Sequence, residues 1–131
     1  MLKNLYFWIA FCWTVLVAYF CLVPSSDIPS VSIPNLDKLA HAFFHFVFTT
    51  LWFLFFKKQV KKKNQIKLLV GAVFFSLFFG IGIELLQSRI TTTRNGDFFD
   101  VLANFSGALL AFILVFVNKQ ITCTYSQVIL Y

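Results

Sequence analysis

The sequence predicts an all-α fold, an integral membrane four-helix bundle. Of its 131 residues, 60% are hydrophobic, only 12% are charged and nineteen are phenylalanine. A soluble domain of this size could not bury so much apolar surface, because small domains leave much of their surface in water. Four apolar runs are long enough to cross a bilayer as helices. Helices are expected because backbone polar groups in lipid must pair within their own segment.

The predicted spans cover residues 5–23, 39–56, 68–86 and 101–117, and we expect residues 1–131 to form a single transmembrane domain. The first run is longer than the roughly 7–15 apolar residues of a signal peptide, and no small-x-small cleavage site follows it. We therefore expect it to be retained as a span.

Basic and acidic residues fall on opposite sides of the predicted membrane. Most lysines lie at Lys3, in the 57–67 connection or at Lys119. The positive-inside rule then places this connection, the N-terminus and the C-terminus in the cytoplasm. Topology thus accounts for the net charge of +6 without a nucleic-acid partner. The acidic residues all lie in or beside the other two connections: Asp27, Asp37, Glu84, Asp97 and Asp100.

Polar side chains recur at helical spacing near the outward ends of three spans. These are Asp37, His41 and His45 on the second, Glu84 and Gln87 on the third, and Asp97, Asp100 and Asn104 on the fourth. An ionisable group at the centre of a membrane helix costs on the order of 2.5–3.5 kcal/mol by insertion scales. We therefore expect these residues to converge on one outward-facing polar pocket. Ala103, Gly107 and Ala111 would let the fourth helix approach a neighbour closely.

The predicted binding cluster comprises Asp37, Lys38, His41, Glu84, Gln87, Arg89, Arg94, Asp97, Asp100 and Asn104. The alternative is that its charges only fasten the bundle, with Glu84 paired to Lys38 or Arg94, and Asp100 paired to Arg89. We favour a site, because packing of small residues would suffice for assembly of four short helices. His45 is better interpreted as a helix-contact residue.

Three motifs resemble the VanZ-like family of small bacterial multi-span membrane proteins. They are Asp37-Lys38-x-x-His41, Glu84-x-x-Gln87 and Arg94-x-x-Asp97-x-x-Asp100-x-x-x-Asn104-x-x-Gly107. The resemblance implies a multi-pass protein of the bacterial inner (cytoplasmic) membrane. The founding member is associated with resistance to the glycopeptide antibiotic teicoplanin. This chain departs from many members at Ala111, where they carry a second glycine.

The favoured function is binding or handling of a membrane lipid or a lipid-linked cell-envelope precursor. Lys38, Arg89 and Arg94 could contact its phosphate or carboxylate groups. A proton or ion pathway ranks last, because the polar positions stop about halfway across the membrane. Helix faces rich in phenylalanine suit either lipid or a second protomer, so the sequence leaves the oligomeric state open.

The alternative function is an intramembrane enzyme, acid/base or metal-assisted, acting on a lipid-linked substrate. His41 with Glu84 or Asp100 would supply the acid and base. The sequence holds no serine or cysteine nucleophile motif and no HExxH. Ligand types would allow a metal at these three residues, but they come singly from separate helices. We therefore predict neither a metal nor a cofactor.

Overall fold

A computed structural model of the chain describes residues 2–23, 35–60, 64–90 and 97–128. Within these ranges the chain forms four α-helices and no strand. The helices are α1 (Leu2–Leu22), α2 (Leu36–Gln59), α3 (Gln65–Ile90) and α4 (Phe98–Val128). Each contains a stretch of 19 to 25 residues that is long and apolar enough to cross a membrane. The predicted all-α membrane fold with four helices is confirmed.

The helices extend past the apolar runs that mark the spans. α2 begins at Leu36, α3 ends at Ile90 and α4 continues to Val128. Hydropathy marks only the part of a helix that lies in hydrocarbon, whereas backbone hydrogen bonding continues through polar residues. As a result Lys38 and Gln87, which the predicted spans left in connections, occupy helical turns.

α2 lies at the centre of the bundle and packs against the other three helices. α1 and α4 make no contact in the described part of the chain, so they lie on opposite sides of α2 and α3. Hydrogen bonds from Gln87 to the Cys21 carbonyl and from Lys38 to Asp100 join the helices at one end. That end contains the C-termini of α1 and α3 and the N-termini of α2 and α4.

An aromatic layer fills the bundle beneath this polar end. Phe48 of α2 stacks on Phe79 of α3 with ring centroids 4.8 Å apart, and Trp52 meets Phe75 edge-on at 4.9 Å. His45 lies directly above, in ring contact with Phe48 and Phe79. Its Nδ1 is 2.7 Å from Ser76 Oγ on α3, which agrees with its interpretation as a helix-contact residue.

Small residues of α4 set its distance from α2. A methyl group on Gly107 would overlap the backbone carbonyl of Ala42. Ala108 and Ala111 are fully buried, whereas Ala103 is half-buried. The expected close approach of α4 is therefore observed, with α2 as the neighbour.

Candidate functional site

Lys38 lies at the centre of a charged cluster at the polar end of the bundle. Its Nζ is 3.0 Å from Asp97 Oδ2, 3.0 Å from Asp100 Oδ1 and 3.3 Å from Asp37 Oδ2. The first turn of α2 carries Lys38, and the start of α4 carries two of its partners. One cation thus faces three carboxylates, which leaves the cluster with an excess of negative charge.

Asp97 starts α4 and connects it to α3. Its Oδ1 accepts a hydrogen bond from the Phe99 N–H at 2.9 Å, which is the geometry of an N-cap. Its own N–H donates to Glu84 Oε2 at 3.2 Å. Asp97 precedes the membrane-spanning part of α4, and its pKa is lowered by the Phe99 N–H and then by Lys38. The ionised carboxylate therefore fixes the N-terminus of α4 beside α3 and α2.

His41 is buried one turn below Lys38 and is oriented by α4. Its Nδ1 is 3.1 Å from Asn104 Oδ1, and its Nε2 is 3.8 Å from Asp100 Oδ2. An amide oxygen only accepts hydrogen bonds, so Nδ1 carries the proton in this contact. In the neutral imidazole the lone pair of Nε2 then faces Asp100.

Glu84 is the most buried carboxylate among the described residues, with only 6% of its surface exposed. Its Oε2 accepts the Asp97 N–H, but its Oε1 has no hydrogen-bond partner in the described part of the protein. The side-chain Nδ2 of Asn104, a residue only 1% exposed, is also unpartnered there. Buried polar atoms without partners are costly, so this region is suited to receive a further polar group or ion.

The fold brings His41, Glu84 and Asp100 together from three helices. One potential ligand atom from each lies within 4.8 Å of those of the other two. The expectation against a metal rested on the separation of these residues among helices. The packing of α2, α3 and α4 removes that separation.

A cleft of about 240 Å³ opens between α3 and α4 beside this group. Its polar lining includes Glu84 and Asp97, and its apolar walls include Ile81, Leu85 and Phe98. These apolar side chains are not covered by the rest of the protein. Both helices are long and apolar enough to cross a membrane, so these exposed cleft walls suit contact with lipid.

Comparison with known proteins identifies the family. Residues 6–119 match the VanZ/LLP1 family. The chain belongs to the VanZ/LLP1 family. An uncharacterized protein of Schizosaccharomyces pombe is 35% identical over 86 residues, which cover 66% of this chain and 50% of that protein. The chain thus spans about half the length of this curated relative. No solved structure matches the chain significantly.

Six of the ten residues predicted to bind are close together in this VanZ/LLP1 protein. They are Lys38, His41, Glu84, Asp97, Asp100 and Asn104. Asp37 contacts Lys38 at the exposed edge. Gln87 is buried and donates to the Cys21 carbonyl of α1, so it ties α3 to α1. Arg89 is exposed in the last turn of α3, and Arg94 lies outside the described residues.

The ion pairing of Asp100 differs from the one suggested by the sequence, whereas the suggested pair of Glu84 with Arg94 lies outside the described residues. Asp100 pairs with Lys38 rather than Arg89, and Glu84 receives a backbone N–H from the start of α4. In the described part of this VanZ/LLP1 chain, no lysine or arginine therefore pairs with Glu84, the deepest carboxylate. The apolar cleft walls were missed by the sequence analysis. Ser88, one turn after Glu84 and also in the lining, is the signal that could have pointed to them.

Proposed function

We propose that this VanZ/LLP1 protein binds the polar head group of a membrane lipid, or of a lipid-linked cell-envelope precursor. The binding pocket would lie near the outer, non-cytoplasmic side of the membrane. The cleft between α3 and α4 carries this proposal. It combines the carboxylates of Glu84 and Asp97 with the apolar side chains of Ile81 and Leu85. A lipid has the same two parts, so its head group can meet the acids while its chain lies along the helices.

The charges of the cluster favour particular head groups. Lys38 is already shared among three aspartates, so it is a poor free partner for phosphate. The carboxylates of Glu84 and Asp97 instead suit groups that donate hydrogen bonds, such as hydroxyls or an ammonium. We therefore propose a head group rich in such donors as the ligand.

The fungal relative bears on the choice of ligand. A membrane lipid occurs in both bacteria and fungi, so similarity to a Schizosaccharomyces pombe protein favours a lipid over a bacterial wall precursor. For a bacterial host we propose the cytoplasmic membrane as the location. Handling of an envelope precursor there would link the protein to glycopeptide resistance. Comparing the teicoplanin susceptibility of bacteria with and without the gene tests this link.

Lipid binding can be tested with a substitution that fills the cleft and leaves its acidic residues unchanged. The protein is extracted in lipid nanodiscs and its bound lipids are measured by native mass spectrometry. Ile81→Trp places an indole ring in the cleft, and Phe78→Trp introduces the same ring on the same helix at an exposed position outside the lining. We expect a specific lipid on the wild type and on Phe78→Trp, and its loss from Ile81→Trp. Equal retention by all three proteins would refute the proposal.

A second candidate is an intramembrane enzyme acting on a lipid-linked substrate. The proximity of His41 to Glu84 and Asp100 favours it, because a histidine and a carboxylate at one point can serve as acid and base. The test incubates the purified protein with extracted lipids and follows products by mass spectrometry. Product formation that disappears in Glu84→Gln supports an enzyme, and an unchanged lipid profile rejects it.

A further inference from the structure

Three side chains at the polar end share an unusual arrangement. His41, Glu84 and Asp100 each use one polar atom to bind a neighbour and leave the other facing the common centre or unpartnered. The neighbours come from α2 and α4, so the arrangement is fixed by helix packing. Residues that hold metal ligands in this way are the usual second shell of a metal site.

His41 has the orientation of a metal-binding imidazole. Asn104 Oδ1 accepts from Nδ1 at 3.1 Å, which leaves Nε2 as the atom with a free lone pair. Histidines that bind metals through one nitrogen usually donate the other N–H to an oxygen acceptor. Asn104 is 1% exposed, so this contact is shielded from solvent.

Asp100 and Glu84 likewise each use one carboxylate oxygen to contact a neighbour and leave the second oxygen available. Asp100 Oδ1 is 3.0 Å from Lys38 Nζ, and Oδ2 is turned toward His41 Nε2 at 3.8 Å. Glu84 Oε2 accepts the Asp97 N–H, and Oε1 has no partner among the described residues. A carboxylate that is 94% buried, with one oxygen unpaired within the described part of the chain, is an independent indication that a ligand belongs here.

We propose that His41, Glu84 and Asp100 bind one divalent transition-metal ion, zinc or manganese. One imidazole nitrogen with two carboxylates suits these ions better than calcium or magnesium, which prefer oxygen ligands alone. Two carboxylates neutralise the ion, so the low-dielectric interior holds no net charge from the three ligands and the metal.

The distances are compatible with this ion. Bonds of about 2.0–2.1 Å to a tetrahedral metal place ligand atoms ~3.4 Å apart. The described ligand atoms lie within 4.8 Å of one another. The remaining gap of up to about 1.4 Å closes when the carboxylates rotate about their χ2 and χ3 torsions, which have broad energy wells. Three protein ligands leave a fourth position open.

The metal site stands independently of the proposed lipid binding. If the protein binds both lipid and metal, which rests on the proposed function, the open coordination position could bind an oxygen of an anionic head group. A metal would therefore extend the ligand class from donor-rich head groups to phosphates.

Metal content is the first measurement. The full chain is purified with a histidine-free tag and without chelators, and zinc, manganese, iron, magnesium and calcium are measured by plasma mass spectrometry. We expect close to one transition-metal ion per chain. The protein is then stripped and titrated with Zn²⁺ or Mn²⁺, and Co²⁺ serves as a spectroscopic probe of nitrogen and oxygen ligation.

Variants identify the ligands. Glu84→Gln and His41→Gln are close in shape to the native side chains and should abolish stoichiometric binding. Asn104→Ala should weaken it about 10–100-fold, as loss of a positioning contact does. The matched control is His45→Gln, which changes the other buried histidine of α2 one turn away. It should bind metal like the wild type.

The outcomes separate this inference from the proposed function. Ile81→Trp should lose lipid and keep the metal, whereas Glu84→Gln should lose the metal. If Glu84→Gln cannot be purified, a rise in the Tm of the wild type on adding Zn²⁺ or Mn²⁺, absent in His41→Gln, carries the same information. Absence of saturable transition-metal binding in the wild type overturns the inference, as does unchanged affinity in His41→Gln and Glu84→Gln.

Discussion

Gly107 of α4 lies directly against the backbone carbonyl of Ala42 in α2. The contact has no side chain on the α4 side, so the two backbones approach more closely than larger residues would permit. His41 directly precedes Ala42 in α2, and Asn104 lies one turn before Gly107 in α4. These two side chains are in hydrogen-bond distance of each other. The glycine therefore positions the site as well as the helices.

Substitution of Gly107 tests this role. In Gly107→Ala the added methyl group overlaps the Ala42 carbonyl, so α4 must move. We expect a loss of about 1–3 kcal/mol in the free energy of unfolding, or more because the obstacle is backbone. The control is Gly71→Ala on α3, where a methyl meets nothing within 4 Å and a gain of up to about 1 kcal/mol is expected. Similar thermal stability of the two variants in detergent would contradict the proposed close contact.

Part of this site could be predicted from sequence alone. Helical spacing placed His41 with Asp37, and Asn104 with Asp100, on one face of each helix. It could not give the rotation of α4 about its axis, which depends on the contact between Gly107 and Ala42. Consequently the partners of Lys38, and the short distances among His41, Glu84 and Asp100 that the sequence could only suggest, became visible in the structure.

The role of Gln87 shows a different limit. It shares a helical face with Glu84, and the sequence placed it in the binding cluster. In the structure it donates to the Cys21 carbonyl at the end of α1. A carbonyl group is present at every residue, so no sequence pattern distinguishes this acceptor from any other. Likewise, hydropathy underestimated the helix ends, because polar residues continue the backbone pattern.

Asp97 should make the stability of the folded protein depend on pH in the acidic range. Its pKa in the folded protein lies below the ordinary 3.8 because the Phe99 N–H and Lys38 favour the carboxylate. A lowered folded pKa adds stability above the unfolded pKa, and this is lost as pH falls through the folded value. We expect Asp97→Asn to have a lower Tm than the wild type at pH 7. The difference should shrink below about pH 4 as Asp97 becomes protonated.

Asp97→Ala separates the N-cap from the ion pair. Asparagine can still accept the Phe99 N–H, whereas alanine cannot. At pH 7 the Tm should therefore fall further in Asp97→Ala than in Asp97→Asn. If the two variants melt together at every pH from 3 to 7, the capping contact contributes nothing.

Thr14 joins α1 to the rest of the bundle. Its Oγ1 accepts a hydrogen bond from Trp52 Nε1 of α2 at 3.0 Å and donates to Ala10 O at 2.8 Å. Thr14→Val keeps the shape and removes the acceptor, so we expect a loss of about 0.6–1.7 kcal/mol in the free energy of unfolding. Thr50→Val is the control, because the Thr50 hydroxyl donates within its own helix to Phe46 O. Denaturant titration in mixed micelles should show a larger loss for Thr14→Val.

The orientation of the bundle decides which side of the membrane the site faces, and it stays a prediction. Lysines crowd the 57–67 connection, and the four spans place both termini on its side. A C-terminal fluorescent protein should therefore be fluorescent in a bacterial host, and a C-terminal alkaline phosphatase should be inactive. The phosphatase inserted in the 91–96 segment should be active, because the positive-inside rule predicts that this connection faces outward.

Removal of the lysines provides the control for this orientation. Replacing those of the 57–67 connection by glutamine removes the charge bias while the apolar spans remain. We expect the two reporters to give mixed activity in this variant, because neither orientation is then strongly favoured. An active phosphatase at the C-terminus of the unmodified chain would place Lys38, His41 and Glu84 on the cytoplasmic side. An outer-leaflet ligand would then be excluded, whereas the metal site would be unaffected.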